Sequence, residues 1–420
     1  LKKKIRMKFI HTADWHLGQL FHEYDRTYEH QQFLNRLIEV IKEQKTDVLL
    51  ISGDVFDLSN PSALTVRMFY TFLNRASRVS KDLQIIITAG NHDSPSRLES
   101  PQPLLESSNI HIVGTVEKKA DGSINFEKLI IPLKNKEGET EALCLAIPFL
   151  RMGDYPVVAE CSDPYAEGVA ELYRQVTSNA VSQLEQGQSL IAMGHLYAAG
   201  AERSGNDEQE RPILGNIECV TASAFPVELK YVALGHIHKA QKIGGLDHIR
   251  YCGSPIPMSF SEVNYTHQVL SFDLTGGIIQ NLEAVEIPAA IPLLRVPERH
   301  KPLHEVLLAI SELPDNDGDI NIAPYLEAKI LLEGPEPGLR HKIEMALKGK
   351  RARLAKIDVK HPALSVAGET TLITSKKLEE IKPIEIFNKV YESKYNVAVP
   401  EVLTTLFNQV YQEASHIENK

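Results

Sequence analysis

Val48-Leu-Leu-Ile-Ser-Gly-Asp54 is an uncharged apolar run that Gly53 stops and Asp54 follows. Such a run, closed by glycine, reads as a buried strand. Four other stretches are written the same way. The run from Lys8 to Thr12 is followed by Asp14 and His16, and Ile85-Ile-Ile-Thr-Ala-Gly by Asn91. Leu190-Ile-Ala-Met-Gly leads to His195, and Tyr231-Val-Ala-Leu-Gly to His236 and His238. In open α/β sheets, functional groups gather just outside the carboxyl ends of the strands. Five such strands would carry all seven polar groups to one rim.

The residue types suit metal. Imidazole, carboxylate and amide oxygen without thiolate match hard or borderline divalent ions such as Mn, Fe or Zn. Two ions about 3.5–4 Å apart need a shared ligand, and a carboxylate provides one. Asp54 is the expected bridge, because Gly53 lets the chain turn tightly beside it. Two carboxylates against two divalent ions leave the site positive. It should draw an anionic phosphodiester and lower the pKa of a bound water. A lone Asp-x-His or Gly-Asn-His is weak among sixteen histidines, but five in order, each behind its own strand, are specific.

Around these runs the chain alternates. Tyr28 to Lys45 carries Phe33, Leu34, Leu37, Val40 and Ile41 at helical spacing, and Leu64 to Val79 repeats the pattern. That is βαβα, a mostly parallel sheet with covering helices. From Ile110 to Phe149 short strands appear, with turn signals at Asp121-Gly122 and Glu137-Gly138. Beyond His238 the pattern is again mainly β. The expected fold is α/β, with two sheets flanked by helices. A boundary falls near Ile287–Pro292. After it come β (Leu293–Val296), α (Leu303–Ser311), β (Tyr325–Leu332), α (Pro337–Lys348) and β (Ala352–Val359), a small α+β domain. Two amphipathic helices follow Pro383, striped by Ile384, Phe387, Val390 and Tyr391, then by Val402, Leu406, Phe407, Val410 and Tyr411. With no later segment to cover them, they predict a partner helix.

Composition narrows the classes. At 420 residues the prior is two or three domains. A net charge of −10 argues against a chain that coats nucleic acid nonspecifically, but local patches still set the field a substrate meets. The basic cluster Arg340, Lys342, Lys348, Lys350, Arg351, Arg353, Lys356 and Lys360 is either a solvated face or a DNA-facing one. Cys144, Cys161, Cys219 and Cys252 lack C-x-x-C spacing, which predicts a reduced, cytoplasmic protein. No run reaches the roughly 18 apolar residues of a membrane span. The opening Leu-Lys-Lys-Lys-Ile-Arg has no signal-peptide core, and Met7 is the expected functional start.

Asp14-x-His16, Gly53-Asp54-x-x-Asp57, Gly90-Asn91-His92-Asp93, Gly194-His195 and Gly235-His236-x-His238 resemble the complete motif set of the calcineurin-like metallophosphoesterases. More narrowly, His11-Thr-Ala-Asp-Trp-His-Leu-Gly-Gln19, Ala89-Gly-Asn-His-Asp-Ser94, Ala233-Leu-Gly-His-Ile-His238 and Arg250-Tyr-Cys-Gly-Ser-Pro-Ile-Pro257 resemble the SbcD family. These are bacterial relatives of the Mre/Rad break-repair nucleases. The resemblance implies a four-layer αββα sandwich over residues 7–287, a capping domain over 292–375, and C-terminal helices over 380–420. In that family the helices grip the coiled-coil root of an SbcC-type ATPase. It further implies that Asp14, His16 and His238 hold one ion and Asn91, His195 and His236 the other, with Asp54 shared. The ions are expected to be Mn2+, with Zn2+ or Mg2+ as alternatives. His92 would protonate the leaving oxygen, and Asp57 would hydrogen-bond His92 and fix its tautomer.

The implied activity is 3′-to-5′ exonuclease cutting of double-stranded DNA ends and endonuclease cutting at hairpins or blocked ends, by a homodimer within a heterotetramer. Competing readings are a phosphoesterase for cyclic nucleotides or phosphoproteins, and a non-enzymatic DNA tether. The loops beside the rim add Arg26 and Arg97 as phosphate contacts. Trp15 is expected to pack, Asp93 and Ser94 to serve a turn, and Gly253-Ser254-Pro255 to form a tight turn near the rim.

Overall fold

The computed structural model describes residues 6–202 and 219–361, with scattered positions between 384 and 407. The chain first lays down β1 (Arg6–Thr12), α1 (Thr27–Gln44), β2 (Val48–Ser52), α2 (Ala63–Val79), β3 (Gln84–Thr88) and β4 (Ile110–Val113). These four strands are parallel neighbours. A second sheet follows from β5 (Ile130–Lys134), β6 (Thr140–Ala146), β7 (Ser189–His195), β8 (Leu229–Gly235), β9 (Gln241–Ile243) and β10 (Leu246–Tyr251). Between β6 and β7 lies α3 (Pro164–Val181). The hairpin of β11 (Gln268–Thr275) and β12 (Ile278–Glu286) then returns to the first sheet, where β11 pairs antiparallel with β1. The sheet orders are β12-β11-β1-β2-β3-β4 and β9-β10-β8-β7-β6-β5.

Alternation along the strands explains the layering. In β2, Val48 and Leu50 join the apolar cluster of Leu143, Leu145, Leu190 and Tyr231 from the second sheet. Leu49 and Ile51 point the other way, into the cluster of Phe33 and Leu37 from α1 and Phe69 and Phe72 from α2. Burial on both faces is why β2 reads as a continuous apolar run. Val169, Leu172, Tyr173 and Val176 of α3 cover the second sheet. The result is the αββα sandwich. Ser62 starts α2 by accepting the Thr65 N–H at 3.2 Å. The sequence reading passed over α3, although Asp163 caps the Tyr165 and Ala166 N–H groups and Pro164 occupies its first turn.

The next segment runs β13 (Leu293–Pro302), α4 (Leu303–Ser311), β14 (Tyr325–Leu331), α5 (Leu339–Leu347) and β15 (Arg353–Lys360). Its three strands are parallel, and Val306, Ile310, Leu326, Ala328 and Ile343 give it a core of its own. It meets the sandwich where Phe21, Phe260, Ile291 and Tyr325 pack together.

The described residues from Ile384 to Phe407 are helical except Val399 and Pro400, and Phe387 stacks on Phe407 with centroids 4.5 Å apart. The expected stripe residues Val390, Val402, Val410 and Tyr411, and the boundary at 375–380, lie outside the described residues. Among the described residues no helix is long and apolar enough to cross a membrane.

Candidate metal centre

The carboxyl ends of β1, β2, β3, β7 and β8 open on one rim, and the chain leaves them in an unusual conformation. Asp14, His16, Asp54 and His236 have φ values of 54°, 44°, 48° and 103°. Non-glycine residues adopt this region rarely and do so at functional sites. Backbone bonds hold them there. Asp14 N–H donates to Gly53 O at 3.1 Å and His16 N–H to Asp54 O at 3.0 Å. His236 N–H donates to the Asp14 carboxylate at 2.9 Å. Gly53 itself has φ 88°, and a Cβ there would sit 2.2 Å from His195 Nδ1.

Among the described residues three groupings of potential ligands result, one of them His16 with Asp57 and His92 and the other two built from the rim residues. Potential ligand atoms of Asp14, His16 and His238 lie within 4.8 Å of one another, and so do those of Asp54, His195 and His236. Asn91 joins the second, its Oδ1 3.0 Å from His195 Nε2 and 3.1 Å from His236 Nδ1. Asp54 Oδ2 lies 3.3 Å from His195 Nε2 and 3.6 Å from His16 Nε2, so one carboxylate oxygen faces both clusters.

The imidazoles are aimed from behind. His195 Nδ1 donates to Ser52 O at 2.9 Å, His238 Nδ1 to Glu262 Oε1 at 3.2 Å and His16 Nδ1 to Asp57 Oδ1 at 3.2 Å. Such outer bonds fix the tautomer that presents Nε2 as a ligand. Among the described residues, His16 Nε2 is buried with no hydrogen-bond partner. A buried acceptor left in that state, among carboxylates and other imidazoles, fits divalent cations.

The electrostatic environment agrees. Burial alone would raise the Asp54 pKa, but His195, His16 and His92 hold it well below the usual carboxylate range. Burial would likewise depress His195, yet Asp54 and Asp14 raise it to about 9. Burial and the neighbouring His195 push His236 down to about 3, so it stays neutral.

Three expectations need correction or refinement. Asp57 does touch His92, but through its main-chain oxygen, which lies 2.8 Å from His92 Nδ1. The Asp57 carboxylate turns to His16 instead. Arg26 is not a phosphate contact. It is buried, pairs with Glu29 at 2.6 Å, donates to Gln19 and lies over the Phe21 ring. No spacing in the sequence marks it as inward-facing; Glu29, Gln19 and the distant Tyr325 enclose it only in the folded chain. The basic cluster is largely neutralised. Arg340 pairs with Glu344, Lys342 with Glu336, Lys350 with Asp315, Arg351 with Asp317 and Lys356 with Glu327. Arg97 is exposed, on the short helix Pro95–Glu99.

Trp15 packs edge-on against Phe33, Phe69 and Phe72. Asp93 accepts N–H groups of Val55, Phe56 and Gly90, tying the β2 and β3 loops together. Ser94 precedes a short helix, Pro95–Glu99, without capping it. Gly253, at φ 79°, turns so closely that a Cβ would lie 2.7 Å from His238 O, to which Ser254 N–H donates at 3.0 Å. Glu262 was not anticipated. It sits in a short turn, Phe260–Glu262, just past the Arg250–Pro257 motif, and its place shortly after Gly253-Ser254-Pro255 is the one signal that could have drawn notice.

A family model for calcineurin-like phosphoesterases matches residues 7–240, and a model described as the type 5 capsule protein repressor C-terminal domain matches residues 290–395. The SbcD component of the SbcCD nuclease of Rhodobacter capsulatus is 35% identical over 85% of this chain and 88% of its own length. Its Escherichia coli K12 counterpart is 32% identical over 68% and 70%. That of Bacillus subtilis is 30% identical over 99% of both chains.

Proposed function

Since the chain belongs to the SbcD subunits of bacterial SbcCD nucleases, within the calcineurin-like phosphoesterases, we propose that it cuts DNA phosphodiesters at this rim, in complex with an SbcC-type ATPase. The observation that carries the reading is the convergence of seven metal-binding side chains from five strand ends into two adjoining clusters. Asp14, His16 and His238 would hold one divalent ion, Asn91, His195 and His236 the other, and Asp54 both. Mn2+ suits this donor set, and Zn2+ should bind at least as tightly.

When bound, the two ions supply Lewis acidity toward the phosphoryl oxygens and an acidified water for in-line attack. The protein's own part is positional. Asp54 keeps the two clusters adjacent, and the bonds from Ser52, Asp57 and Glu262 stop the imidazoles from rotating. His92 is half-buried at the rim, its ring edge-on to His16 with centroids 4.8 Å apart and its N–H donating to Asp54 Oδ1 at 2.9 Å. With Nδ1 engaged by the Asp57 carbonyl, its Nε2 is the atom left to protonate the departing 3′ oxygen.

The finer reading is a cytoplasmic 3′-to-5′ exonuclease on duplex ends that also opens hairpins and blocked ends, working as a homodimer within a heterotetramer. Residues 7–287 form the nuclease domain, 292–375 the cap and 380–420 the ATPase-binding helices. A plasmid-nicking assay with Mn2+, run beside a small phosphodiester, tests it. Metal-dependent cutting of both, abolished by a chelator, is expected. Turnover of cyclic nucleotide or phosphoprotein alone would refute the nuclease, and no turnover at all would refute the enzyme.

A further inference from the structure

The two metal clusters are supported unequally. Asn91, His195 and His236 take their hydrogen bonds from Ser52, Asp54, Asp14 and one another, all within the sandwich. Among the described residues, Asp93, which ties down the loop before Asn91, also bonds only to residues of the sandwich. The other cluster leans outward. Two bonded paths run from it to the small parallel domain, linked to each other where Arg26 Nη1 lies 4.0 Å from Met258 Sδ.

The first path starts at Arg295 of β13. Its guanidinium is held by the buried Glu327 of β14 at 2.7 Å, and Lys356 of β15 fixes the other Glu327 oxygen at 3.0 Å. Arg295 then donates to the main-chain oxygen of Phe260. Phe260 opens the short turn whose last residue is Glu262. Glu262 is fully buried, takes the Met258 N–H at 3.0 Å, and offers its remaining oxygen to His238 Nδ1.

The second path starts at Tyr325 of β14, whose hydroxyl donates to Glu29 Oε2 at 2.8 Å. Glu29 holds Arg26, Arg26 holds the Gln19 side chain, and Gln19 N–H donates to His16 O at 3.0 Å. The paths share no residue, yet both end on the same cluster.

We propose that Arg295 and Tyr325 are positioning residues for one metal subsite, that of Asp14, His16 and His238, and leave the subsite of Asn91, His195 and His236 untouched. The inference rests on the metal assignment made under the proposed function. Each path restricts a ligand through a bonded intermediary, Glu262 or the Gln19–His16 turn. Outer partners of metal ligands commonly set about 10- to 100-fold in affinity. Coupling through two further residues, as from Arg295, or three, as from Tyr325, should fall at the lower end. The subsites therefore differ in kind, one intrinsic to the sandwich and one conditional on how the small domain sits.

The test is Mn2+ titration of the metal-free full chain by calorimetry, with electron paramagnetic resonance to distinguish isolated from exchange-coupled Mn2+. Tyr325→Phe deletes a single hydroxyl and keeps the ring packing; Arg295→Gln keeps the side-chain stem. The unsubstituted chain should bind two ions per chain. Each variant should weaken one binding step by about tenfold and leave the other as it was. At limiting Mn2+ the coupled signal should give way to an isolated one. Equal weakening of both steps would mean general loosening and overturn the proposal. Unchanged binding in a folded variant would also overturn it. If Arg295→Gln fails to fold, Tyr325→Phe decides alone. An unsubstituted chain that binds no Mn2+ refutes the metal assignment itself, an outcome distinct from the other two.

Discussion

Gly235→Ala adds one methyl group at the point where the two sheets touch. Gly235 ends β8, and its φ is not in the left-handed region, so alanine carries no backbone penalty there. The obstacle is steric. A Cβ would lie 1.9 Å from Ser52 O, 2.9 Å from Ala13 Cβ and 2.9 Å from His195 Nδ1. Real Cβ contacts essentially never fall below 3.0 Å, so β8 and β2 must separate by about 1 Å. The Ser52 carbonyl that moves is the one orienting His195, and the residue after Gly235 is His236, tied by its N–H to Asp14. Overpacking of this kind costs about 1–3 kcal/mol. A misplacement of about 1 Å near the chemistry costs roughly 100-fold in rate. Thermal unfolding, Mn2+ titration and turnover of a small phosphodiester would be measured together. Gly334→Ala is the control, since nothing lies within 4 Å of its Cβ position and its φ is ordinary. A Gly235→Ala chain with unaltered melting, metal affinity and turnover would show that the rim yields freely and that the reasoning is wrong.

Other outcomes are equally definite. His92→Gln should keep metal and DNA binding but slow cleavage by roughly 10²–10⁴-fold; joint loss of metal would make His92 a ligand. His195, raised to about 9 in the metal-free chain, is protonated at neutral pH and must shed that proton to bind an ion. Calorimetry in buffers of different ionisation enthalpy should thus find about one proton released per chain near pH 7, vanishing above about pH 9. By the same linkage, the His195 contribution to metal-free stability is full below its ordinary pKa of 6.5 and is lost as pH rises through about 9. Heat stability that climbs over this window would contradict the pairing. Leu406→Glu, at a side chain 53% exposed, should abolish co-elution with the ATPase while small-phosphodiester turnover persists; unchanged co-elution would place the docking surface elsewhere.

Much of this molecule was readable because burial leaves a periodic mark. β2 and β3 are covered on both faces, so they appear as unbroken apolar runs, and the polar residue after each run marks the rim. The helices facing them repeat at helical spacing for the same reason. Loop chemistry leaves no such mark. Whether Asp57 offers its carboxylate or its carbonyl to His92 depends on a backbone path that no spacing encodes. The left-handed turns at Asp14, His16 and Asp54 are imposed by tertiary bonds to neighbouring strands, against local preference. Arg26 reads as a surface cation until Glu29 and Tyr325 are seen to enclose it, and Tyr325 comes from a separate core nearly 300 residues away.

The position of β1 also governs when the protein can exist at all during its synthesis. β1 lies between β2 and β11, so one of its edges waits for a strand that begins at Gln268. At about 5–20 residues per second, a ribosome needs roughly 10–50 s to make the intervening chain. Through that interval the nascent first sheet carries an open edge, the kind of surface that recruits foreign strands. Asp14 and His16 emerge long before His236 and His238 and stay idle until those arrive. The rim is therefore a late product of translation. A chain stalled just before Gln268 would hold all seven ligands on an unfinished sheet, and it would be a substrate for chaperones before it was one for metal.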